Sequence, residues 1–233
     1  MDIFGQALLD HYHGKLNSKL WLHNNYGHAE DMPVDVFFRN EDEMPELELL
    51  ALSLCNGKIL DIGAGVGSHA LILQNKGADV TALEISSAAC GIMHERGVQK
   101  CIHADILTFG GQKFDTLLLL MNGIGLVENL SGLRKFLSHA KTLINPGGTI
   151  IFDSSDISYL YEDIPFPEGK YYGEIAYQYE YKSQFGDWFN WLYIDADLLN
   201  KIATEEGWEM ELLFDDGMDQ FLVRLTPLSE LRS

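Results

Sequence analysis

The chain has 233 residues, 46% hydrophobic and 11% aromatic, enough for one domain of ordinary to large size and too apolar for a disordered chain. It carries 35 acids against 16 Lys and Arg, a formal net charge of −19. A surface of that sign repels phosphate backbones and anionic membranes, so nucleic acid and membrane partners are set aside and a small-molecule substrate is expected.

The N-terminus, MDIFGQALLDHYHGK, has no basic region followed by an apolar stretch, so no signal peptide is expected, and no apolar run is long enough to span a bilayer. Residues 3–24 have a mixed amphipathic pattern suited to one or two helices. His11, Tyr12, His13, Trp21 and Tyr26 are candidates to line a cover made by this segment. His11 and His13 lack the further ligands of a metal site, so no metal is expected. Residues 30–48 hold eight acids and one Arg, with Val36, Phe37 and Phe38 as an apolar island. Glu46 to Leu54 reads as a helix. Cys55, Cys90 and Cys101 are unclustered and sit in or beside apolar segments. They read as small hydrophobes of a reducing compartment, which makes the cytoplasm the expected location.

From residue 58 the alternation is regular. A strand (58–62) leads through Asp61-Ile62-Gly63-Ala64-Gly65-Val66-Gly67 into a helix (66–76) ended by Gly77. A strand feeding a glycine-rich turn and a helix N-terminus is a nucleotide-binding device, with glycines admitting the ligand and free N–H groups facing it. A second strand (79–84) ends on Glu84, about twenty residues past the turn, where a carboxylate can accept both ribose hydroxyls. Ile85 follows, a core position unless the resemblance described below holds, which implies that it packs on an adenine face. A helix runs from near Ser86 to Gly97, and a short strand near 99–103 leads to Asp105 and Ile106. FDTLLLLMN (114–122) is a strongly apolar strand ending on Met121 and Asn122. A helix over 131–144 is ended by NPGG, and GGTIIFDSSD is the fifth strand, with Asp153 at its end. Strands alternating with helices imply a parallel sheet.

The rhythm then changes. Residues 173–184 and 187–195 alternate in the β manner around Phe185-Gly186, as an antiparallel hairpin. Tyr177, Tyr179, Tyr181, Trp188 and Trp191 on it are either an aromatic cage for a cationic substrate or ordinary sheet packing. A helix follows with Asp195 or Asp197 as N-cap. Two strands, 208–215 and 219–226, close the chain around Asp216-Gly217.

The glycine spacing departs from the dinucleotide fingerprint, G-x-G-x-x-G or G-x-G-x-x-A: Ser68 stands where its last small residue belongs, and Gly67 comes one place early. The string acid-x-G-x-G-x-G instead resembles motif I of the class I S-adenosylmethionine (SAM)-dependent methyltransferases, in particular small, uncharacterised bacterial members with a similar DVFFR-like segment. The terminal strand pair, the HADILTF segment and NPGGTIIF are also similar to the family pattern, over roughly residues 50–226. The resemblance implies a Rossmann-like α/β fold: a doubly wound seven-stranded sheet with its last strand antiparallel. To it are added an N-terminal helical extension (1–50) and an insertion with the hairpin (156–194), around a core of 51–155 and 195–226. It implies SAM as cofactor, bound by Asp61, Gly63, Ala64, Gly65, Gly67, Glu84, Ile85, Asp105, Ile106, Met121 and Asn122. The expected activity is methyl transfer to a small molecule by in-line displacement. MNGIGLVEN lacks the Asn/Asp-Pro-Pro-aromatic signature of amino- and adenine-methylating members, so the resemblance names no acceptor.

Near the expected methyl position, Asn122 is a candidate to orient a nucleophile, or a turn residue. Asp153 is a candidate to take a proton or bind a cation, or a helix-capping carboxylate. Two other readings stand beside the first: a nicotinamide-dependent oxidoreductase using the same turn, and a SAM-binding module without turnover.

Overall fold

A computed structural model describes residues 1–15 and 17–228. In chain order the regular elements are α1 (Ile3–Tyr12), β1 (Leu20–Asn24), β2 (Glu30–Met32), a 3-10 turn (Val34–Phe38), α2 (Glu46–Leu54) and β3 (Lys58–Ile62). They continue with α3 (Ser68–Asn75), β4 (Asp79–Glu84), α4 (Ser87–Arg96), β5 (Cys101–His103), β6 (Phe114–Leu119), a 3-10 turn (Gly123–Val127), α5 (Leu130–Leu143) and β7 (Ile144–Ser155). The insertion supplies β8 (Glu174–Tyr181), β9 (Gln184–Phe185) and β10 (Phe189–Leu192), and the chain closes with α6 (Ala196–Glu205), β11 (Trp208–Asp215) and β12 (Gln220–Pro227).

Seven strands form the main sheet in the order β11-β12-β7-β6-β3-β4-β5. Its pairs from β7 through β5 are parallel, and β12 runs antiparallel to both β7 and β11. Strand side chains alternate between two helix-covered faces. Leu60, Leu117, Phe152 and Val223 meet Phe136 and Leu137 of α5 and Leu199 and Ile202 of α6. Their neighbours Ile59, Leu118, Ile151 and Leu222 meet Leu47 and Ala51 of α2, Leu73 of α3 and Met93 of α4. Burial on both faces explains why these strands read as continuous apolar runs. Caps set the helix ends: Asp195 accepts from the Leu198 N–H, Ser86 accepts from the Ala89 N–H, and Gly97 stops α4 in the left-handed conformation.

The structure departs from the expected elements in three places. The segment after α1 is a strand, not a second helix, and β1 pairs with β2 and with β8 of the insertion. The N-terminal segment and the insertion therefore share one sheet, ordered β10-β8-β1-β2 with β9 on β8. The hairpin turns at Lys182-Ser183, both at positive φ, rather than at Phe185-Gly186. NPGG is not a stop before the fifth core strand but part of β7, where the ladder with β6 shifts register.

Candidate active site

β3, β4, β5 and β6 end on one edge of the sheet, beside the point where strand order reverses, the place where a sheet of this kind forms a ligand crevice. β3 runs into Gly63 (φ 69°), Ala64 and Gly65 (φ 55°), conformations in which a side-chain-bearing residue would be strained. A Cβ on Gly63 would have only Leu126 Cδ2 near it, at 3.5 Å, and one on Gly65 only Phe37 Cδ1, at 4.0 Å. Gly67 differs: a Cβ there would strike Val98 Cγ2 at 2.8 Å and Met93 Cγ at 2.9 Å. The first two glycines thus border open space, and the third admits close packing against α4 and the segment after it.

The N–H groups of the turn are not free, contrary to the reading from sequence. Those of Gly63 and Ala64 donate to the Leu83 carbonyl (2.9 and 3.1 Å), and that of Gly65 to Glu84 Oε2 (2.8 Å). The Ala70 N–H, in the first turn of α3, faces the Asp61 carboxylate and lowers its pKa. Asp61 is 1% exposed, its Oδ2 has no partner, and burial pushes its pKa up to about 6, against smaller opposing effects of His69 and the Ala70 N–H. A turn whose amides are committed, beside a helix start already holding a carboxylate, offers little to a phosphate. It offers a cation an unmatched buried oxygen.

Glu84 ends β4 with each carboxylate oxygen accepting one backbone N–H, from Gly65 and from Ser86 (2.8 Å each). Burial raises its pKa, and these bonds work the other way. Two lone-pair positions stay open for a diol. Ile85 is 68% exposed, so it is not a core residue; a large apolar side chain at the mouth of a crevice is suited to a flat apolar ligand. Asp105 is exposed and accepts the Leu107 N–H at 2.8 Å, while the Ile106 side chain is buried in the core beneath.

At the ends of β6 and β7, Met121 and Asn122 have φ of 64° and 53°, two adjacent left-handed residues without glycine. Asp153 Oδ2 accepts the Asn122 N–H at 2.8 Å, and Ser155 Oγ donates to Asn122 Oδ1 at 3.1 Å. Asn122 is therefore both a turn residue and a fixed amide. Asp153 caps no helix: it lies inside β7, 4% exposed, with Oδ1 lacking a partner. Burial pushes its pKa up to about 6 despite the Asn122 N–H.

The second sheet and the N-terminus roof this crevice with aromatic rings. Phe37 meets Phe4 edge-on (5.0 Å), Phe4 stacks on Tyr179 (5.1 Å), and Tyr179 stacks on Phe189 (5.1 Å). The Trp191 indole lies against Gly125, where a Cβ would come within 1.9 Å of Nε1. Tyr177 donates to the Tyr193 hydroxyl at 3.3 Å. The proposed five-residue cage is not assembled. Trp188 is 55% exposed, and Tyr181 points away, its hydroxyl donating to Asp10 at 3.0 Å. His11 stacks on Phe38 (4.6 Å), and Tyr26 donates to Glu30 (2.8 Å). Among the described residues there is no group of three or more His, Cys, Asp or Glu able to hold a metal. Phe4, Leu126, Ser155 and Phe189 were missed in the sequence. Only Phe37 carried a signal, as an apolar residue inside an acidic segment.

Residues 37–213 match the family model described as a methyltransferase domain. A crystal structure of a SAM-dependent methyltransferase from Bacteroides fragilis in complex with S-adenosyl-L-homocysteine is 38% identical, covers 97% of this chain and 95% of that one, and superposes with a TM-score of 0.90. The CcbJ methyltransferase from Streptomyces caelestis, at 15% identity, covers 81% of this chain and 94% of that one with a TM-score of 0.64, a likeness of fold alone. Among curated proteins, a ubiquinone biosynthesis O-methyltransferase of Coxiella burnetii is 26% identical over 110 residues, 44% of this chain. The match spans 45%, less than half, of that relative's length.

Proposed function

This chain belongs to the class I SAM-dependent methyltransferase family, and we propose that it binds SAM in the crevice above β3–β6 and transfers its methyl group to a small-molecule acceptor. The carrying observation is the glycine turn with its amides committed and Asp61 Oδ2 unmatched: spent donors beside an open acceptor suit a cationic amino-acid-bearing nucleoside and not a pyrophosphate.

In this reading Asp61 accepts from the ligand's ammonium group, and Gly63, Ala64 and Gly65 run beneath its amino-acid arm. Gly67 keeps α4 and β3's turn in contact. The open lone pairs of Glu84 accept the ribose hydroxyls, Ile85 covers an adenine face, and Asp105 with the Ile106 N–H reads the adenine edge. Met121 and Asn122 border the reacting end. The bound cofactor supplies a methyl carbon activated by its sulfonium. What the chain contributes is orientation and exclusion of water: Asn122, held by Ser155, aligns the acceptor, Asp153 keeps the turn in place by accepting the Asn122 N–H, and the aromatic roof keeps the crevice dry.

A melting assay tests the reading. SAM and S-adenosylhomocysteine raise the melting temperature, and NADH does not; a ligand at about 100 times its Kd contributes about 2.7 kcal/mol. Stabilisation by NADH alone reverses the reading. Labelled methyl passing from SAM to the small-molecule fraction of a cell extract separates an enzyme from a module that only binds SAM.

A further inference from the structure

The DVFFR segment (Asp35–Arg39) is fastened at several points besides the contact of its Phe37 ring. Its fastenings lead to the residues directly after the glycine turn. Ser68, the first residue of α3, donates through Oγ to the Phe37 carbonyl at 2.7 Å. Arg39 donates from Nε to the Val36 carbonyl at 2.9 Å, folding its own segment, and from Nη2 to Glu48 Oε1 at 2.6 Å. The other oxygen of Glu48 meets Nε2 of His69, the second residue of α3, at 2.7 Å. From the far side Arg96 lies 5.3 Å from the Phe38 ring centroid and donates to the Val66 carbonyl at 2.8 Å and to Ser68 Oγ at 3.1 Å.

Glu48 and His69 are buried, at 5% and 7% exposure. A buried carboxylate between two cationic or hydrogen-bonding partners is a rigid join, because each partner is held by the desolvation that its loss would leave uncompensated. Burial alone would push the Glu48 pKa up; the hydrogen bonds and charges of His69 and Arg39 outweigh it and hold the group below its ordinary value. Val66 joins the apolar side of the same unit, packed with Ile3, Leu20, Val34 and Tyr181.

We propose that Arg39, Glu48 and His69, with Ser68, are positioning residues for the cofactor: they lock the Phe37 ring over Gly65, so that the glycine turn and its aromatic roof bind as one preformed slot. The inference rests on the SAM reading above and adds a specific cost for loosening the roof. None of the four touches the ligand in the proposed binding mode; they act through Phe37. Preorganisation of this kind appears as affinity, because a roof already in place need not be ordered on binding.

A double-mutant cycle read by calorimetric titration with S-adenosylhomocysteine tests it. Arg39→Ala and Phe37→Ala each weaken binding tenfold or more, and the double variant is within about twofold of the weaker single, since both remove the same positioned ring. Ser68→Ala, which cuts the bond to the Phe37 carbonyl without disturbing a charge, weakens binding severalfold and keeps the test open if Arg39→Ala does not fold. Losses that multiply in the double variant overturn the proposal. So does affinity within twofold of the wild type in folded Arg39→Ala or Ser68→Ala. A wild-type chain that binds no S-adenosylhomocysteine overturns the SAM reading and this inference with it; wild-type binding with unaffected variants overturns the inference alone.

Discussion

Asp61 keeps one carboxylate oxygen without a partner in the core, and burial moves its pKa from 3.8 to about 6. Between those values the folded chain holds a proton that the unfolded chain has lost. Stability of the ligand-free protein therefore falls as pH rises through this window, and above about 6 the full cost, on the order of 3 kcal/mol, is present. A bound ammonium group offsets that cost only while Asp61 is ionised. Affinity for SAM should accordingly weaken as pH drops below about 6, by up to about tenfold per unit for one coupled proton. Titration calorimetry across that range checks it: Asp61→Asn should bind at least about tenfold more weakly at neutral pH, with a flatter profile. Glu84 gives a second residue-scale expectation. Hydrogen bonds from two hydroxyls to a buried carboxylate are worth about 1.5–3 kcal/mol each, so Glu84→Ala should lose tenfold or more in SAM affinity. Unchanged affinity would remove Glu84 from the site.

In the proposed reading the glycine turn divides its work between ligand and fold, and two substitutions separate the halves. Gly67→Ala places a methyl 2.8 Å from Val98 Cγ2 and 2.9 Å from Met93 Cγ at a φ of 82°. Strain and overpacking together should cost about 2–4 kcal/mol, seen as a lowered melting temperature. The Cβ of Gly63→Val comes no closer than 3.5 Å to Leu126 Cδ2, so beyond the backbone strain of a β-branched residue at a φ of 69° its expected effect is on SAM binding. If Gly63→Val bound SAM normally, the turn would not be the ligand's bed. The turn and its strand were legible in the sequence, because β3, the glycines and α3 are contiguous and each residue type has a local reason to be there. The commitment of the turn's amides was not legible. It depends on β4 lying alongside, which brings the Leu83 carbonyl and Glu84 into reach.

At the scale of the whole molecule, the N-terminal segment and the insertion pair as β1 and β8 and together carry the aromatic roof across the main sheet's crevice. Ligand binding should thus be felt in two segments far apart in the chain. Hydrogen exchange read by mass spectrometry should slow in α1, in residues 34–38 and in β8 when S-adenosylhomocysteine binds, while β11 stays unchanged; protection confined to the glycine turn would argue against a shared roof. The alternation of strands and helices, the glycine turn with its two acids and the terminal antiparallel pair were written locally, in periodicity and in residues a few positions apart. That is enough to fix the Rossmann-like sheet and the strand ends over which the ligand is proposed to bind. The rest was decided only when distant segments met. His23 reaches Glu180, 157 positions away, Ser155 fixes Asn122 from a neighbouring strand, and Arg39, Glu48 and His69 come together from three elements. No local pattern encodes such partners, because a buried carboxylate or an exposed ring has its meaning set by what packing brings beside it.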